Sequence, residues 1–211
     1  MKVLFKMGLL FLFCNIFACK NIRSRVAITD SFAIHVVLKK KTPPPETNWD
    51  DGLRMIENEF VQDASRYGVV IYESTRSKLR TLQYVDNLSE AIGEGVVASC
   101  NRYYSVSEKI VNFQKVRKEE KWLAIEVLRS GFDAYVEGLE AEQAKMKLKE
   151  LLYHELFHCY LDKAHLPMHV DGIMNPVLKK DNSRAYTEWE LLVEELFSPT
   201  NMKMIDSVNK N

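Results

Sequence analysis

The chain has 211 residues, 46% hydrophobic and 27% charged, which is the mix of a globular protein and excludes wholesale disorder or a fibrous repeat. Lys plus Arg and Asp plus Glu both number 29, so the formal net charge is zero and the basic excess of a nucleic-acid binder is missing. The length suits one domain of ~150–170 residues with a tail, and the chain is expected to act as a monomer.

The tail comes first. Lys2 and Lys6 precede an apolar run from Met7 to Ala18, interrupted only by Asn15. Such a run is well short of the ~20 residues of a spanning helix, and its small last residue completes the pattern of a secretory signal peptide. Ile16-Phe17-Ala18-Cys19 resembles a bacterial lipobox. Residues 1–18 are therefore read as a lipoprotein-type signal and Cys19 as the residue that carries lipid. The expectation is an exported bacterial lipoprotein, periplasmic or at the cell surface, held to the membrane by that lipid; plain secretion is the alternative. Cleavage before Cys19 leaves two more acidic than basic residues, too little charge to hold the protein on an anionic surface. Cys100 and Cys159 then remain as one possible disulfide, which export permits; two separate buried thiols fit equally well.

Residues 19–45 read as a tether. It carries one short strand, Phe32 to Leu38, then Lys39-Lys40-Lys41 and the extended spacer Pro43-Pro44-Pro45. The domain is taken as 46–211. Leu53, Ile56, Phe60 and Ala64 recur at helical spacing between Trp49 and Tyr67, and Gly68 ends that helix. Strands are expected at 69–72, 79–85, 95–104 and 109–116, and a helix at 119–128. A long helix runs from Gly138 or Glu140 to about Leu161, with Leu148, Leu152, Leu156 and Cys159 along one stripe. After Pro167 the chain is irregular through Pro176. A last helix covers 187–197, with Thr187 as its N-cap and Glu190 as capping partner.

The long helix carries His154-Glu155-Leu156-Phe157-His158. Residues four apart share a helix face, so both imidazoles can reach one Zn²⁺. Glu155 sits beside them as a non-ligand that can take a proton from an activated water. A catalytic zinc needs a third protein ligand. His165, seven residues after His158, is the first candidate, provided the helix ends between them. Asp162-Lys163 is the place for that turn, because Asp enters the left-handed region at modest cost and Pro167 bars further helix. His169 and Glu188 are the alternatives.

The stretch from His154 to His165, followed by Ile173-Met174-Asn175-Pro176, resembles the metzincin-type zinc metallopeptidases, with their HExxHxxGxxH and later Met-turn. It is most similar to a set of exported bacterial metallopeptidases reading roughly HELGHCxLGRxH and then IMNP. The resemblance implies His154, His158 and His165 as ligands of one zinc, Glu155 as general base and Met174 as the Met-turn residue. It covers Tyr153 to Pro176 strongly and 58–197 diffusely. Phe157 and Asp162 stand where that set has Gly, and Lys163 where it has Arg; none of these removes a ligand or the base. The expected fold is α+β, a small mixed sheet packed with helices in a metzincin-like zincin architecture. The expected activity is zinc-dependent hydrolysis of a peptide or protein substrate. The alternatives are a non-catalytic zinc-binding surface lipoprotein, which the departures motivate, and a gluzincin-type peptidase using Glu188.

Overall fold

In the computed structural model, the described residues are 32–33, 38–41, 48–89, 95–111, 114–167, 170–179 and 184–208. The signal segment with Cys19, and His169, lie outside them.

Five strands form a mixed sheet in the order β2-β5-β6-β4-β3, made of Leu38–Lys41, Ala98–Val111, Gln114–Leu128, Leu79–Val85 and Asn48–Trp49. β5 and β6 are antiparallel along a ladder from Ala98↔Val127 to Val111↔Gln114; the other neighbours run parallel. A separate pairing joins β1, Phe32–Ala33, antiparallel to β7, Val177–Leu178. The segment read as a tether thus adds one strand to the main sheet and one to β7.

Helix α1, Asp51–Arg66, starts where the Asp50 carboxylate accepts from Gly52 N (2.9 Å) and Leu53 N (3.2 Å). Its inward stripe is Leu53, Glu57, Phe60 and Ala64. It packs on α4, Ala141–Leu161, which in turn lies against β5 and β6. α4 opens on a capping pair, with Glu140 N donating to Gln143 Oε1 at 3.1 Å. From Glu150 to Tyr160 every residue of α4 is buried, so this half of the helix sits inside the core and shows no polar face. Phe157, whose bulk would crowd a close strand, instead meets the Phe197 ring of α6, Trp189–Phe197, at 5.9 Å.

Four expectations need correction. Residues 119–128 are strand, not helix. β6 lies between β5 and β4, so Trp122, Leu123, Ala124, Ile125, Glu126 and Val127 are all buried, and covering both faces erases the alternation that would have marked a strand. Residues 109–116 are not one strand but the end of β5 and the start of β6. Residues 69–72 make no strand; Val70 and Tyr72 are exposed, and a short helix α2, Glu73–Arg76, follows. The last helix is split into α5, Arg184–Thr187, and α6, whose N-cap is Glu188 with no side-chain cap. Helices α3, Arg129–Val136, and α7, Pro199–Val208, were not anticipated. No described helix is long and apolar enough to cross a membrane.

Candidate metal centre

α4 stops at Asp162, whose backbone is left-handed (φ 54°, ψ 36°), and Asp162 N donates to His158 O at 3.1 Å. It is the one non-glycine residue with positive φ among those described. This reversal lets the chain turn back along its own helix. Leu166 N then donates to Met174 O at 2.9 Å, which pins the returning strand to the Ile173–Pro176 segment. Arg102 of β5 clasps the turn. Its guanidinium donates to both the Asp162 carboxylate and the His158 carbonyl, which fixes the last turn of α4 against the sheet. Cys100 and Cys159 are disulfide-bonded, with Cα atoms 5.7 Å apart, and tie the same two elements together beside the Arg102 contact.

The outcome is a three-histidine cluster. His154 Nε2 lies 3.0 Å from His158 Nε2 and 3.1 Å from His165 Nε2. His154 and His158 are fully buried and His165 partly so. The opposite ring nitrogens fix the tautomers. His154 Nδ1 lies 2.7 Å from the Ile173 carbonyl and His158 Nδ1 2.5 Å from the Lys163 carbonyl, so both donate there as N–H groups. Their Nε2 atoms are then lone pairs facing one another at contact distance. Burial and the two neighbouring rings hold His154 well below the usual imidazole range, so it stays neutral. A proton is thus disfavoured as the bridge, whereas a cation satisfies all three nitrogens. Tetrahedral zinc with bonds of ~2.0–2.1 Å spaces its ligand nitrogens about 3.4 Å apart, close to what the cluster shows. The backbone carbonyls that orient His154 and His158 are the outer partners such ligands require.

Glu155 is fully buried, and neither carboxylate oxygen finds a side-chain hydrogen-bond partner. Burial pushes it up to about 8, against a weaker pull from the nearby Cys100 backbone that favours the ionised form. A buried acid with no ion pair is expensive for folding alone.

Met174 is fully buried among Leu166, Ile173, Leu192 and Leu196. Glu188 is not one of the residues of the cluster; its carboxylate accepts from Arg184 Nε at 2.8 Å. Sequence reasoning missed Arg102, whose role depends on a contact 56 residues away along the chain. It also missed the buried pair of Lys147 and Glu150 (2.9 Å), two turns and one turn before His154 on the same helix face. Lys147 Nζ also donates to Lys179 O at 2.8 Å, so α4 grips the chain beyond Met174 from below while His154 grips it at Ile173. The i, i+3, i+7 spacing of Lys147, Glu150 and His154 was the available signal.

Comparison with protein-family models, with curated proteins and with solved structures finds no match.

Proposed function

We propose that the protein is a zinc-dependent metallopeptidase of metzincin type, exported and held at a membrane by lipid on Cys19. The observation that carries the reading is the convergence of three imidazole nitrogens at 3.0 and 3.1 Å, two of them with lone pairs turned inward. His154, His158 and His165 would hold the ion, and Met174 would underlie it as the Met-turn residue. Bound zinc supplies Lewis acidity toward a peptide carbonyl and lowers the pKa of water toward neutrality.

The chain's own groups do the rest. The Ile173 and Lys163 carbonyls keep His154 and His158 in the tautomer whose Nε2 carries the lone pair. Glu155, buried without an ion pair, would act in its ionised form, which a cation held by the neighbouring histidines favours against burial; it would take a proton from the attacking water and deliver it to the leaving amine. Arg102 and the Cys100–Cys159 bridge keep β5 and the ligand helix in fixed register.

The test is hydrolysis of a peptide library by the zinc-loaded chain and by Glu155→Gln. A loss of ~10²–10⁴-fold with zinc content unchanged is expected. Full activity in the variant would contradict the assignment of the base.

A further inference from the structure

Lys147 and Glu150 stand on the face of α4 that carries His154, and the proposed chemistry uses neither. Both are fully buried, with Nζ and Oε2 2.9 Å apart. Lysine is almost never fully buried unless paired. A buried ion pair stabilises a core no better than apolar residues of similar volume, so stability alone does not account for it. What an apolar pair could not do is hold a particular carbonyl. Lys147 Nζ donates to Lys179 O at 2.8 Å and lies 5.3 Å from the centre of the Tyr186 ring. The pair therefore fixes where the chain beyond Met174 lies along α4.

That position bears on the histidines. Lys147 and His154 are two helical turns apart, about 10.5 Å along the axis. They hold one short segment at two points, Lys179 and Ile173. Between those points Asn175 braces the chain: its N donates to Gly172 O, its Nδ2 donates to Val170 O and its Oδ1 accepts from Val177 N, each at 3.0 Å. A braced segment passes a shift at one end to the other. At that other end the Ile173 carbonyl orients the His154 ring, and the Met174 carbonyl accepts from the N–H of Leu166, the residue after His165. Two of the three candidate ligands thus depend on where residues 173–179 lie.

We infer that Lys147 and Glu150 are a positioning pair for the metal centre. By anchoring Lys179 they set the register of residues 173–179 along α4, and through it the orientation of His154 and the seat of His165. This rests on the metal-site reading and adds to it two residues that act through others.

Replacing both partners in the full chain tests this. Lys147→Met with Glu150→Leu strands no charge, so the chain keeps its fold while the hold on Lys179 O is lost. In the metal-free chain, hydrogen exchange of residues 173–178 should become about 10-fold faster. Zinc affinity, measured by competition with a chelator, should fall about 10-fold, and the visible spectrum of the cobalt-loaded chain should shift. Lys147→Met alone, in which Glu150 can take up a proton instead, is a second route to the same loss and should behave alike. Arg76→Met, which breaks the buried Glu57 pair between α1 and α2, is the control for general loosening and should change none of these readings. Unchanged exchange in both Lys147 variants would overturn the anchor. Faster exchange with wild-type zinc affinity and cobalt spectrum would show that the anchor does not reach the histidines, which also overturns the inference. An equal loss of affinity in Arg76→Met would do the same. In those cases the wild-type chain still binds zinc and the metal reading stands; a wild-type chain that takes up no zinc would overturn that reading and the inference with it.

Discussion

Glu57 and Glu155 are both fully buried glutamates on packed helices, yet their surroundings are opposite. Glu57 on α1 receives Arg76 in a two-pronged pair (Nε to Oε1 2.9 Å, Nη2 to Oε2 2.7 Å) and the Tyr160 hydroxyl at 2.7 Å. Three donors compensate for the water it gave up. Glu155 on α4 has no ion pair and no side-chain donor; only the Cys100 backbone favours its ionised form, and burial outweighs it and drives the group toward the protonated form. The contrast separates two uses of a buried acid. One joins α1, α2 and α4 into a single body; the other is buried beside the three histidines with no ion pair, which is the feature that the proposed role as general base uses.

The largest effect that tests this contrast is functional. Glu155→Gln should leave the fold intact, and more stable by about 1–3 kcal/mol in chemical denaturation of the metal-free chain, because it removes an uncompensated carboxylate. Its hydrolytic activity should fall by orders of magnitude. Next comes Arg76→Met, which strands Glu57 without its main donor and should cost about 2–4 kcal/mol by the same denaturation, with zinc stoichiometry preserved. If Arg76→Met were harmless, or Glu155→Gln strongly destabilising, the division would fail. The smallest effect belongs to Asp162→Gly. It relieves a left-handed residue of about 1 kcal/mol and gives up an exposed ion pair with Arg102 of similar size, so stability should move by less than about 1 kcal/mol.

The parts of the site that were legible in the sequence are those set by local geometry. The His154 and His158 spacing needs only a helix, and the reversal before His165 needs only a residue tolerant of positive φ, which Asp162 supplies. Arg102 was not legible, because its partners Asp162 and the His158 carbonyl lie 60 and 56 residues further along the chain. Nor was β6 legible as a strand. Buried on both faces, Trp122 to Val127 shows an apolar run broken only by Glu126, a pattern that helix and strand share until the neighbouring elements are known. Two expectations about length failed for a different reason. The 109–116 stretch hides a hairpin, and the exposed Val70 and Tyr72 give β-favouring residues no partner to pair with.

The central claim is that three imidazoles were brought to contact distance for a metal. Metal analysis of the purified full chain, side by side with His165→Ala, tests it directly. About one zinc per chain, lost in the variant, is the predicted result; a chain that takes up no zinc, or a variant that keeps it, would contradict the account.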